Sequence, residues 1–405
     1  GAFVINGLLA PDRTPHPHYY EVKHIYQPLH FEKIDDTHVR VVNRDWFTSI
    51  DEYDYSVRFF DDKNGESELI SLSKPDENGV LTVPKHSYGD SDKYFMTVCA
   101  SLPHSVLWAE KGFTVAYDQY EVDVMDILDN PIGLEVLSKR IKPGKALKYL
   151  EKGGFSFDSL GALVGWNYQG REVLAGPLEP YFWKPANDNQ LRNDYERSMG
   201  VWRLAASDRK LLSSEFSLYR GNRKQQGTLI CKFTYALPVG ATLNVTYFLD
   251  LDSKTKVEVD MDYTPDSVRV ESMPKFGLRM RVPSGYDNVS WVGRGPWENY
   301  PDRKLGALFG QYSLPLDEYM TDYVYSQDNS NRADVDNILL TGQGLPSLSI
   351  SEWGYGFPKG VNARIWNYSE EDLEKARHGY ELPERDYLNI NIDSEIIGVG
   401  GNDAW

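Results

Sequence analysis

A succession of segments in this chain alternates apolar and polar residues with a period of two, and no other feature limits the fold as much. In KVEVDMDY, Val257, Val259, Met261 and Tyr263 fall on one face while Lys256, Glu258, Asp260 and Asp262 fall on the other, the pattern of a strand with one buried face. The same reading covers 38–43 (HVRVVN), 55–60, 93–100, 113–122, 228–237, 241–251 and 276–282. The fold class that follows is mainly β.

Turn residues punctuate these runs. Asp62–Gly65 (DKNG), Pro75–Gly79 (PDENG), Tyr88–Asp92 and Pro143–Gly144 supply positive or fixed φ where a strand must reverse. From Tyr20 to Val122 the strands are short and evenly spaced, which suits a sandwich of immunoglobulin-like type. A stretch bearing Pro and Gly, 129–145, reads as a linker, and the strands beyond it are longer and richer in aromatics. One short helix is predicted in YSEEDLEKARHGYELP, with Ser369 as N-cap, acids at 370–372 in the first turn, Arg377 and His378 in the last, and Gly379 just beyond.

A chain of 405 residues has room for two or three domains. Its formal net charge of -17 argues against nucleic acid and anionic lipid as partners, because phosphate contact needs clustered Lys and Arg. No run of about 18 apolar residues is present to span a bilayer, and GAFVINGLLAPDR lacks the basic start and full apolar core of a signal peptide. A soluble protein is expected, with the bacterial cytoplasm favoured over the periplasm. Cys99 and Cys231 fall in different predicted domains, so no disulfide framework is expected. Aromatics reach 13%, and flat amphipathic rings serve cores and sugar faces alike.

Motifs for hydride transfer, phosphoryl transfer and the common nucleophiles are missing: there is no GxSxG, HExxH, P-loop, or GxGxxG that follows a strand. His16, His18 and His24 cluster in RTPHPHYYEVKH, yet no further ligands stand at a recognisable spacing, so an irregular polar corner is expected and no metal is assigned. VGRGPWENYPDRK (292–304) brings Glu298 and Asp302 close together. A pair of acids can run glycoside hydrolysis, but Arg294 and Arg303 stand beside them, and a salt-bridged corner is the expectation. In VGVGGNDAW, glycines precede Trp405, which is either a core plug or a stacking platform.

Together, NGLLAPDRTPHP (6–17), WAEKGFTVAYDQY (108–120), FWKPANDN (182–189), VGRGPWENYPDR (292–303), YVYSQDNSNRADV (323–335) and INIDSEIIGVGGNDAW (390–405) resemble the large β-galactosidases of glycoside hydrolase family 2, in the family's order and over essentially the whole chain. The resemblance implies the C-terminal part of such an enzyme. Residues 1–17 would be the tail of a TIM barrel, 18–122 an immunoglobulin-like sandwich, 123–145 a linker, and 146–405 a galactose-mutarotase-like β-supersandwich that lacks its closing strands. The family is retaining, its two catalytic glutamates about 5 to 5.5 Å apart; both belong to the barrel, so no catalytic residue is expected in this chain. By the same resemblance Phe3 offers a backbone carbonyl and Asn6 a side-chain oxygen to a sodium ion, hard donors suited to such a cation. Trp405 matches the tryptophan that packs on the substrate sugar, and magnesium belongs to the barrel. Expected partners are a β-galactoside such as lactose, the N-terminal and barrel domains, and further copies in a homo-oligomer. Residues 190–200 fall where the family has a mobile loop and receive no role.

Two other readings stand beside this one. The chain could be a stand-alone carbohydrate-binding or assembly module, or an aldose mutarotase, which shares the supersandwich fold. A mutarotase needs a His and an acid converging in a cleft, and His378 is the histidine that falls in the predicted supersandwich.

Overall fold

The computed structural model of the chain describes residues 5, 7–86, 93–122, 137–221, 226–238, 240–266, 272–352 and 360–400. Its architecture is mainly β, in antiparallel sheets.

In the first body, strands Leu29–Lys33, His38–Asn43 and Val80–Thr82 form one sheet, and Asp54–Asp61, Tyr94–Ser101 and Thr114–Glu121, with the short strands Gly65–Glu66 and Ile70–Leu72, form the other. Alternation puts Val39 and Val41 inward and Arg40 out, and the two sheets close on a core that includes Leu29, Val57, Leu81, Met96 and Val98. Tyr94–Ser101 is buried on both faces. Tyr94, Met96, Val98 and Ala100 enter that core, whereas Phe95, on the opposite face, meets Phe60 and Phe309. Phe309 belongs to the second body. Lys93 adds an ion pair to Asp336 at 2.5 Å, and Gln119 both donates to the Phe309 carbonyl (2.9 Å) and accepts from its amide (2.7 Å).

The second body has three sheets around one apolar cluster. The largest runs, in spatial order, Phe155–Phe157, Leu163–Tyr168, Gly176–Tyr181, Lys275–Pro283, Tyr387–Ile396, Val361–Trp366 and Arg332–Val335. A second consists of Val257–Thr264, Thr242–Asp250, Thr228–Ala236, Lys210–Tyr219 and Lys139–Arg140; the third, of Leu308–Pro315, Asn288–Gly295, Asn337–Thr341 and Leu348–Ser351. Val257, Val259, Met261 and Tyr263 pack against the cluster as alternation predicts, leaving Asp260 and Asp262 on the exposed side of an edge strand, where charge discourages pairing with another chain. Both cysteines are buried free thiols, and burial pushes Cys99 up to about 11.

Local structure departs from expectation in three places. The stretch bearing His16, His18 and His24, read as an irregular polar corner, forms the helix Pro17–Ile25, which Pro17 opens. Lys139–Arg140, inside the stretch read as linker, pairs with Lys210–Tyr219, and Pro143–Gly144 opens the helix Pro143–Gly153 instead of a turn. Proline suits that first helical position because it has no N–H to leave unpaired. The predicted helix after Ser369 forms with its cap, Ser369 and Asp372 exchanging hydrogen bonds, but it ends at Lys375. Arg377 and His378 serve Glu381 instead: the Arg377 amide donates to Oε2 at 2.8 Å and His378 Nδ1 lies 3.1 Å from Oε1. Gly379 opens a 3₁₀ turn, where a Cβ would lie 2.2 Å from the Asp322 carboxylate; the glycine answers close approach, not a helix cap.

Candidate functional site

The strand Asn288–Gly295 buries Val289 and Trp291, and Pro296 then turns the chain into a cleft of about 1490 Å³. The cleft is walled by the N-terminal tail, the corner 296–303, parts of 187–189 and 318–328, and residues 397–400.

The corner is built from acids that serve as acceptors. Glu298, 2% exposed, takes hydrogen bonds from Arg303 Nη2 (2.6 Å), the Tyr323 hydroxyl (2.8 Å) and the Ser330 amide (2.6 Å). The Glu298–Arg303 pair matches the expected salt-bridged corner. Arg294 does not join it: its Nε donates to Asp334 at 2.5 Å, and Lys304 reaches the same carboxylate. Asp302 has no basic partner in the corner and accepts the amides of Val399 (3.0 Å) and Gly400 (2.9 Å). A Cβ at position 398 would lie 2.3 Å from the Asp302 carboxyl carbon, so glycine is required there by proximity.

The other side of 398–400 is held by residues that sequence reading left without a role. Asn187 and Gln190 form a capping box on the helix Asp188–Arg192, an N-x-x-Q spacing legible in the sequence. Their amide nitrogens also donate to the carbonyls of Val399 (2.8 Å) and Gly398 (3.2 Å). Lys184, fully buried, donates to Gln190 Oε1 at 2.8 Å and lies 3.8 Å from Asp328. Asp328 in turn accepts from the Tyr300 hydroxyl at 2.8 Å and pairs with Arg364.

On the tail, His16 Nδ1 and His18 Nε2 both point at the Gly7 carbonyl, at 2.7 and 3.1 Å. A carbonyl only accepts, so each of these nitrogens carries its proton. Burial, with the Arg303 guanidinium nearby, pushes His18 below its ordinary value and favours the neutral ring. Tyr20 stacks on Trp297 with centroids 3.5 Å apart. Among the described residues no three His, Cys, Asp or Glu side chains converge to hold a metal ion. The cleft is lined by aromatic residues, hydrogen-bonding groups and the further acids Asp12, Asp188, Glu318 and Asp322, while Glu298 and Asp302 in its corner are already committed. Such a lining suits a ligand rich in hydroxyls, not proton transfer by Glu298 or Asp302.

Phe3, Asn6 and Trp405 lie outside the described residues. Their neighbours do not: Ile5 and Gly400 line the same cleft. His378 is not among the lining residues; it stacks on Tyr380 and faces Glu381 on an exposed turn. No helix among the described residues is long and apolar enough to cross a membrane.

The family description of the β-galactosidase small chain matches residues 152–405, and that of β-galactosidase domain 4 matches 39–123. The β-galactosidase of Priestia megaterium is 28% identical over 100% of this chain and 39% of its own length. Those of Halalkalibacterium halodurans and Vibrio cholerae are 27% and 26% identical, each again over 100% of this chain and 39% of their own length. The chain thus spans about two fifths of the length of these curated relatives, the C-terminal portion. By the match over most of its length, this chain belongs to the β-galactosidase small-chain family.

Proposed function

We propose that the chain completes, from one side, the galactoside site of a retaining β-galactosidase acting on terminal β-D-galactosides such as lactose, with both catalytic glutamates carried by the part of the enzyme outside this chain. The observation that carries the reading is the meeting of Ile5 and Gly400 in one cleft. Asn6 and Trp405 stand one and five residues from those positions, and the acids of the cleft corner are occupied in holding it.

Trp405 is assigned to packing against the sugar ring. The Phe3 carbonyl and the Asn6 side-chain oxygen are hard donors of the kind an alkali cation takes; they fit sodium, with the remaining ligands supplied elsewhere. An alkali cation held there would supply a fixed positive charge at the edge of the site. Magnesium is assigned to the barrel, and the assembled enzyme to a homo-oligomer.

The purified chain is expected to show no turnover of a nitrophenyl β-galactoside, and to restore turnover when combined with the rest of its enzyme. In that assembled form Trp405→Ala is expected to raise KM about tenfold, the equivalent of one lost ring contact, with a smaller change in kcat. Turnover by the chain alone, or an unchanged KM in the variant, overturns the proposal.

A further inference from the structure

The loops 44–53 and 102–113 lie at the same end of the first sandwich. Asp54 pairs with Ser101 across adjacent strands, which sets the exit of one loop beside the entry of the other, and Ile50, Leu102, Val106 and Ala109 pack on the core beneath both. On their outer side Trp46 is 92% exposed, Phe47 97%, Trp108 68%, and Leu107 fully. Single exposed apolar residues are ordinary, but this concentration on two adjoining loops marks a face built to be covered.

Four polar side chains of these loops are engaged within them. Asn43 Nδ2 donates to the Thr48 carbonyl, Asp45 accepts the Phe47 amide, and Ser105 donates to Glu110. A sugar site needs several convergent polar groups to read hydroxyls; these four are spent within the loops, and Phe47 and Leu107 have no polar group to offer. The face suits a protein surface.

We propose that this loop face docks against the part of a β-galactosidase that lies outside this chain. The relatives supply the first reason for that occupant: the chain matches 39% of their length, so most of such an enzyme lies elsewhere. The helix Pro17–Ile25 supplies the second. Near its start His18 lines the cleft and Tyr20 stacks on Trp297, while near its end Lys23 lies 4.7 Å over the Phe113 ring, which Trp108 meets edge-on at 5.5 Å. Nine residues of helix span about 13 Å, so one body seated at the cleft reaches the loop face along it. The inference rests on the cleft being completed by the rest of a β-galactosidase.

The test uses the 405-residue chain and, as probe, the remainder of the β-galactosidase from the same genome expressed as its own chain. Association is followed by sedimentation velocity and galactoside hydrolysis is read in the same mixtures. Phe47→Ser with Trp108→Ser is expected to weaken association at least tenfold while leaving the circular dichroism of the chain unchanged. Leu212→Ser, at a 60% exposed position on another sheet, is expected to leave it unchanged. Undiminished binding by the double variant overturns the docking face and leaves the cleft reading standing; no association and no activity with the unaltered chain overturns both. A dimer of the chain alone that the double variant abolishes gives the face to a second copy, and lactose binding lost in the double variant gives it to a sugar; either overturns the proposal.

Discussion

Val57 and Val98 face each other across neighbouring strands at the centre of the first body, both at 0% exposure. At comparable depth in the second body Arg364 sits between Asp328 and Asp393, all three at 3% exposure or less. From there the charges continue: Lys275 donates to Asp393 (2.7 Å) and Asn391 (2.5 Å), Asn391 donates to Glu370 (2.8 Å), and Arg279 bridges Glu370 and Glu179. Burial pushes Lys275 down to about 8 even with Asp393 beside it. An apolar core asks only for the right volume. A buried ionic chain costs desolvation that an apolar core avoids, and what it supplies in return is direction. Here the direction has a use, since Asp328 orients Tyr300 and, through Lys184 and Gln190, the backbone at Gly398. The first body is expected to tolerate repacking where the second depends on orientation.

Arg364→Ala puts this contrast under the greatest strain. It leaves two buried carboxylates without their shared guanidinium and is expected to cost about 3–5 kcal/mol, seen as a lower urea midpoint for the second body alone. Arg364→Lys should recover little, because a point charge cannot bridge both acids as the planar fork does. In the first body Leu81→Ala is expected to cost about 3 kcal/mol through the cavity it leaves, whereas Leu81→Met should cost less than about 1.5 kcal/mol. If the two conservative substitutions cost the same, the two cores do not differ in the way described. The smallest effect concerns acid. Arg385 beside Asp372, with the Ser369 bonds, holds the Asp372 carboxyl at about 2, below its ordinary value. A carboxyl lowered in the folded state contributes stability that is full above about pH 4 and lost as pH falls through about 2. The urea midpoint of the second body between pH 5 and 2.5 should therefore decline less steeply in Asp372→Asn than in the unaltered chain.

Much of the fold could be read without coordinates, and the reason is range. Alternation at 38–43, 228–237 and 256–263 reports which face of a strand is buried, and the strands form there as His38–Asn43, Thr228–Ala236 and Val257–Thr264. The Ser369 cap depends on atoms three residues away and was equally legible. The same helix shows the limit: Arg377 and His378 look like a helix end until Glu381, in the following turn, takes their hydrogen bonds. Glu298 and Arg303, five residues apart, were a pair in sequence and are a pair in space.

Partnerships across long stretches of chain were not legible. Arg294 meets Asp334 and not its local acids; Asp302 holds amides 97 and 98 residues further on; Asn187 and Gln190 reach carbonyls more than 200 residues away. The sequence by itself determined the β class, the faces of the strands, the local corner around Glu298 and, through its motifs, the family. Only the tertiary structure decided that Phe95 is covered by Phe309, that a chain of charges runs through the second body, and that Ile5 and Gly400 share one cleft. Periodicity and capping act over a few residues and leave their mark in composition. A long-range contact depends on which sheets close on one another, and a single sequence holds no local trace of that choice.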